Sequence, residues 1–318
     1  MSSVVFLFSG QGAQYYQMGA ELYFNDRAYR QAFDYCAEIV GDIGGYSLIE
    51  SVFRRPAIDS DGYDDLEETN LALLAQGYAT VKSLNARAIW PDALAGYSLG
   101  ELTAAIIAGG IGLEQAMRMI QAQSRHVKQT VPQAAMVAIL SSPSLILESQ
   151  TLSQLCEIAC VNSPQHFVAT TSLIGLERLS HELNQREISW ARLPVKFGFH
   201  SSLLDTAESG YAAYAHRIEF QKPSLPVYSS LSAARINRYD PSYFWQVARG
   251  ILRFRDLATN LWAAEPRIFV DCSPTGTLAS FIRQTLGNSI PTFTAMNRFG
   301  RNLETITQIE TALKAQKL

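Results

Sequence analysis

Between Ala93 and Ala108 the chain passes from a short apolar run through two glycines into a second apolar stretch. Ala93-Leu94-Ala95-Gly96 follows Pro91 and reads as a buried strand, and Leu99 to Ala108 reads as a buried helix. Strand, tight glycine turn and helix are the grammar of an α/β sheet. The turn spells Gly96-Tyr97-Ser98-Leu99-Gly100, a G-x-S-x-G string with the context of a nucleophile elbow. Its glycines permit a sharp, strained turn that lifts the Ser98 hydroxyl clear of the sheet. The amide of Leu99 then points at the reaction centre beside a helix N-terminus. A plain strand-to-helix turn of small residues is the bland alternative.

The rest of the chain supplies the other parts of such a sheet. Val4 to Phe8 reads as a buried strand closed by Ser9-Gly10, and residues 70–86 as an amphipathic helix. Residues 131–196 change rhythm. Met136–Leu140, Ile158–Val161, Phe167–Thr171 and Ile188–Pro194 read as strands, with helices at Ser142–Leu155 and Gly175–Arg186. That β-α-β-β-α-β order is the ferredoxin-like split motif, read as a small subdomain inserted into a larger one. The expected division is 1–130 with 197–318, and 131–196. Helices follow near 201–217, 241–250 and 254–264, then a strand at Arg267–Asp271 and a helix at Gly276–Leu286. With 318 residues, 47% of them hydrophobic, the chain has enough apolar surface for a sizeable core.

Several classes are disfavoured. A net charge of −3 excludes a polybasic nucleic-acid binder. The uncharged stretches 102–113 and 129–147 are too short or too interrupted to span a membrane, and the N-terminus lacks the basic region of a signal peptide. Cys36, Cys156, Cys160 and Cys272 form no C-x-x-C pair and read as buried, reduced thiols of a cytoplasmic protein. Asp59, Asp61, Asp64, Asp65, Glu67 and Glu68 read as a solvated loop rather than a metal site. No metal or cofactor is expected.

A serine nucleophile needs a base. His126 and His216 fall in helical stretches, His166 in a turn and His181 on an exposed helix. His200 sits in Phe197-Gly198-Phe199-His200-Ser201-Ser202, a glycine-loosened loop with aromatic walls that suit a catalytic base. Ser9-Gly10-Gln11-Gly12-Ala13-Gln14 follows the first strand, where two glycines let the Gln11 backbone approach a ligand. It lacks both G-x-G-x-x-G and a Walker lysine, so a second oxyanion donor is the better reading.

Over nearly its whole length the chain resembles the malonyl-CoA:acyl-carrier-protein transacylase family, which includes the acyltransferases of polyketide and fatty-acid synthases. The matching segments are Gly10–Gln14, Gly96–Glu101, Asn162-Ser163-Pro164, Phe199-His200-Ser201 and, loosely, Ser273–Leu278. The resemblance implies a hydrolase-like α/β domain with a ferredoxin-like insert. It implies Ser98 as nucleophile, His200 as base oriented by a backbone carbonyl, and the amides of Gln11 and Leu99 as the oxyanion hole. Phe199 and Tyr97 would line the substrate pocket, and Gln246 would correspond to a polar residue near the base.

Two departures bear on substrate. Tyr97 replaces the histidine of the family's G-H-S-L-G-E elbow. Malonyl-specific members carry an arginine 25 residues after the nucleophile; here that position is Gln123. Arg125, two residues on, lies about 200° around a helix and should point away, unless the register slips. Glutamine offers a neutral amide where arginine offers a charged fork, so malonyl should be disfavoured and neutral acyl groups accepted. Glutamine at this position is a mark of the stand-alone acyl hydrolases of trans-acyltransferase polyketide synthases, which cleave acyl chains from carrier proteins. Residues 235–301 hold nine arginines, four acids and no lysine, a face suited to an acidic acyl carrier protein. Three readings stay open, namely a carrier-thioester hydrolase, a transacylase for a neutral acyl group, and an inactive carrier-binding module. Intact Ser98 and His200 disfavour the third.

Overall fold

The computed structural model describes residues 3–54 and 63–315. Its strands are β1 (Ser3–Phe8), β2 (Ala93–Gly96), β3 (Ala134–Ile139), β4 (Glu157–Ser163), β5 (His166–Ser172), β6 (Trp190–Arg192), β7 (Val227–Ser229), β8 (Ala234–Ile236), β9 (Leu252–Arg253), β10 (Arg267–Asp271) and β11 (Thr292–Thr294). They form two sheets, a six-stranded one ordered β11-β10-β1-β2-β7-β8 and a five-stranded one ordered β6-β3-β5-β4-β9.

The large sheet is parallel except for the β7–β8 hairpin. Covered by helices on both faces, its inner strands must be apolar on both sides, which is why Val4-Val5-Phe6-Leu7-Phe8 runs without alternation. Phe6 and Phe8 pack into the core on one face, and Val5 and Leu7 into that on the other. In an open parallel sheet the site forms where strands end. The loops after β1 and β2 start side by side there, because Phe8 pairs with Gly96.

In the small sheet β3, β4, β5 and β6 are antiparallel neighbours in the spatial order of the split β-α-β motif. Alternation divides its faces. Val137, Ile139, Phe167 and Ala169 pack on the helix Leu173–Gln185, whereas Met136, Cys160 and Val168 turn toward the large sheet.

Several expectations need correction. The single helix expected over Ser142–Leu155 is two short ones, Ser144–Leu147 and Gln150–Leu155. Ser149 leaves the helical conformation between them and caps the second by accepting from the Leu152 amide. The strand expected over Ile188–Pro194 narrows to Trp190–Arg192. The helix near 201–217 begins as a 3-10 turn, Ser202–Ala207, before Glu208–Ala215. The acidic run is no solvated loop where it is described. Asp65 caps the helix Leu66–Asn85, accepting from the amides of Glu67 and Glu68, and Glu67 is buried. Asp59 and Asp61 lie outside the described residues. All four cysteines are buried and unpaired. Among the described residues no helix is long and apolar enough to cross a membrane.

Candidate active site

Ser98 stands between β2 and the helix Gly100–Ile107 with φ 56°, left-handed backbone that a non-glycine residue adopts at a cost of about 1–3 kcal/mol. The turn is held by its neighbours. Tyr97 N donates to Phe8 O at 2.9 Å, and Gly100 packs so tightly on β1 that a Cβ there would fall 2.0 Å from Phe8 O. Only glycine fits that approach.

His200 also has a left-handed backbone, with φ 59°. Its amide donates to Ala248 O at 2.8 Å, and the preceding carbonyl, of Phe199, accepts from Thr170 Oγ1 at 2.9 Å. The backbone at His200 is thereby held between the small sheet and the last turn of the helix Tyr243–Arg249. Its Nε2 lies 2.9 Å from Ser98 Oγ and its Nδ1 3.0 Å from Gly250 O. A carbonyl only accepts, so Nδ1 carries the proton and Nε2 is free to accept from the serine hydroxyl. Burial disfavours the charged ring and pushes its pKa down to about 4, against a smaller upward pull from backbone carbonyls. The His200 ring is therefore neutral at pH 7.

Gln11 and Leu99, the residues expected to supply an oxyanion hole, line the same cleft. The loop after β1 approaches the elbow so closely that a Cβ on Gly10 would fall 2.9 Å from Leu99 N. The Gln11 side chain is fixed by donating to Thr69 Oγ1 and Asn70 Oδ1, both at 2.7 Å. Ser98, His200, Gln11 and Leu99 together line one cleft. Leu102, Met119, Ile120, Met136, Val168, Leu193, Val195, Phe244 and Val247 make most of its wall apolar.

Gln123 lies in that wall with 2% exposure, on the helix Leu113–Thr130. Arg125 does not reach it. Its guanidinium leaves the pocket and makes a bidentate pair with Glu67, at 2.9 and 2.8 Å. Among the described residues that line the cleft there is no lysine or arginine. Tyr97 and Phe199 are both in the wall. The Tyr97 hydroxyl donates to Asn162 Oδ1 at 2.9 Å, which ties the elbow to β4. Burial raises its pKa well above that of free tyrosine, so it stays a neutral donor.

Gln246 does not join the site. It is exposed and bonds back to Ser242 Oγ at 2.8 Å. Its helix is amphipathic, and Phe244, Val247 and Ala248 take the pocket side. Sequence reasoning missed Glu101, buried one turn after the serine. It accepts from Ser229 Oγ and Ser230 Oγ at 2.9 Å each, from Leu231 N at 3.3 Å and from Tyr243 OH. A carboxylate in the first turn of an apolar helix was the available signal. Asn70 and Ser124, bonded to each other at 2.9 Å, carried no such signal.

Residues 5–318 match the family model described as acyl transferase domain. The chain is 34% identical over 283 residues to the "Polyketide biosynthesis acyltransferase homolog PksD" of Bacillus subtilis, covering 89% of this chain and 87% of that protein. It is 32% identical over 312 residues to the corresponding homolog BaeD of Bacillus velezensis, covering 98% and 96%. The acyltransferase domain from the second module of the salinomycin polyketide synthase superposes with a TM-score of 0.86 at 27% identity, over 97% of this chain and 72% of that one.

Proposed function

The chain belongs to the acyl transferase domain family, and on that premise we propose that it is a serine acyl-enzyme catalyst that removes neutral acyl groups from acyl carrier proteins in polyketide biosynthesis. Ser98 Oγ attacks the thioester carbonyl while His200 Nε2 takes its proton. The amides of Gln11 and Leu99 hold the oxyanion. Collapse expels the carrier thiol, which takes the proton back from His200. Water then attacks the Ser98 ester with His200 again as base, releasing the acid and the free serine.

Gln123 carries the reading of substrate. It is buried in the wall of the cleft that Ser98 and His200 line, where no lysine or arginine stands among the described residues, with Arg125 engaged elsewhere. A malonyl carboxylate placed there would be desolvated without a counter-charge, at a cost of several kcal/mol. Bacillus proteins named as polyketide biosynthesis acyltransferase homologs support the pathway. Exposed Arg235, Arg238, Arg253, Arg298 and Arg301 suit an acidic carrier in the cytoplasm. Arg249, Arg255 and Arg267 are each paired with an acid and contribute less. Transfer of the acyl group to a second carrier is the alternative, since a thiol can replace water in the last step.

The test is to incubate the protein with acetyl- and malonyl-loaded carrier and follow products by mass spectrometry. Free acetate appearing without a second carrier supports hydrolysis. An acyl-Ser98 that persists in water and discharges only onto a carrier thiol supports transfer. Ser98→Ala should abolish acyl-enzyme and turnover, and full activity in that variant would sink the serine mechanism.

A further inference from the structure

β1 and β10 pair in parallel with Leu7 opposite Asp271, and Cys272 N donates to Leu7 O at 3.0 Å. The ladder stops there. One more rung would have Ser9 O accept from an N–H at position 274, and Pro274 has none. The Ser9 amide turns instead to a side chain and donates to Ser273 Oγ at 2.9 Å. Ser273 is itself held. Its amide donates to Asp271 Oδ1 at 2.9 Å. Asp271 Oδ2 accepts, also at 2.9 Å, from Ala279 N in the first turn of the helix Thr277–Leu286. Ser273 and Asp271 are both buried, where such bonds are stronger than in water.

The loop that follows Ser9 carries Gln11. Gly10 lies against the elbow, since a Cβ there would fall 2.9 Å from Leu99 N and 3.2 Å from Ser98 Oγ. Beyond it the Gln11 side chain is tied to Thr69 and Asn70, and Gly12 N donates to Gln14 Oε1 at 2.7 Å. The bond from Ser9 N to Ser273 Oγ anchors the same loop on its strand side.

From this geometry we infer that Ser273 is a positioning residue for the attack by Ser98: by accepting from the Ser9 amide it fixes where the chain leaves β1, and so aims the Gln11 N–H at the oxyanion. The inference rests on the reading that the Gln11 amide is one of the two oxyanion donors. Ser273 is not among the residues that line the cleft, so it acts through the loop and not on the substrate. A hydrogen bond weakens steeply once its angle departs from linear. An oxyanion donor is worth about 10²–10³ in rate, so a small misalignment of one is measurable. Without the Ser273 hydroxyl the Ser9 N–H must find another acceptor, and Gln11, two residues on, moves with it.

The experiment uses two ketones, trifluoroacetonyl-pantetheine and acetonyl-pantetheine. Ser98 Oγ adds to the activated carbonyl carbon of the first, the serine proton passes to His200 Nε2, and the carbonyl oxygen becomes an oxyanion. The second binds as the intact ketone. The ratio of their dissociation constants therefore reads the oxyanion contacts, because the pantetheine arm is common to both. The wild type should bind the fluorinated ketone about a hundredfold more tightly or better. In Ser273→Ala that ratio should fall about tenfold, less than the loss of a whole donor. The acetonyl dissociation constant should change by less than about twofold, since that ketone forms no oxyanion. Ser273→Gly repeats the measurement if the alanine variant melts early.

A wild-type ratio that survives in both variants would overturn the inference and leave the oxyanion hole standing. Equal weakening of both ketones would overturn it as well, because it marks a general loosening of the site. If the wild type binds the two ketones equally, no oxyanion is held, and the reading of the hole falls and takes the inference with it.

Discussion

His200 is 3% exposed, and the consequence of its burial is a shift in the pH at which the proposed base would switch off. In the proposed mechanism the neutral ring is the working form, and burial lowers its pKa from 6.5 to about 4. The profile of kcat/KM should therefore stay level as pH falls through 6.5 and decline only near 4. An acid limb at 6 to 7 in that profile would show the base to be solvated or to be another group. The same burial has a stability counterpart. The unfolded chain binds a proton at this histidine below about pH 6.5 and the folded chain does not, so the contribution of His200 to stability is lost as pH falls below that value. His200→Ala should lower the rate by roughly 10²–10⁴. At Gln123 the expected outcome concerns charge. Gln123→Arg should raise malonyl loading of Ser98 tenfold or more and slow acetyl turnover, because a neutral acyl group would leave the guanidinium desolvated and without a counter-charge. A wild-type protein that already prefers malonyl would refute the argument. Ser98 was legible from the local strand, glycine turn and helix, His200 from its glycine-loosened aromatic loop together with the family resemblance, and Gln123 only through the register of that resemblance. Gln246 was misplaced because its side of the helix depends on which neighbours cover Phe244 and Val247.

Among the elements, the helix Gly100–Ile107 does more than present the serine. Glu101 joins it to the end of β7 and to the helix Tyr243–Arg249, which leads into the Gly250 carbonyl that orients His200. Burial pushes the Glu101 carboxyl up, and its hydroxyl and amide donors pull it back. Glu101→Ala would strand these donors in the interior, at about 1–3 kcal/mol for each one left unsatisfied. It should lower the melting temperature by several degrees and cut kcat. Glu101→Gln keeps an acceptor oxygen and should lose less than half as much in both measurements. Equal losses would mean that the acceptor is not what matters. The strands β1, β2 and β10 were readable as apolar runs because both faces of a parallel sheet are covered. The break at Ser149 was not, since an apolar pattern runs on through it and only the capping bond marks it. Two- and three-residue strands such as β9 and β11 fall below any periodicity.

On the scale of the whole molecule, the pocket is shared. Leu102 and Ile120 come from the helices of the large sheet, and Met136 and Val168 from strands of the small one. On the proposed reading, the length of the acyl chain is set from both sides. Val168→Phe should leave acetyl turnover within about threefold while reducing hexanoyl turnover tenfold or more, with an overpacking cost of about 1–3 kcal/mol in stability. Equal effects on both chains would place the acyl group away from β5. The proposed division into 1–130 with 197–318 and an inserted 131–196 needs one addition. Cys160 and Val161 of β4 pair in parallel with Leu252 and Arg253 of β9, two residues past the Gly250 carbonyl. By position in the chain β9 belongs to the large part, and by hydrogen bonding it closes the small sheet. For recombination between relatives, this makes the natural crossover points discontinuous. A chimera that exchanges 131–196 alone would set a foreign edge strand against β9 and shift the carbonyl on which the imidazole depends. A graft that also carries the segment from the helix Tyr243–Arg249 through β9 would move the seam and its chemistry as one unit.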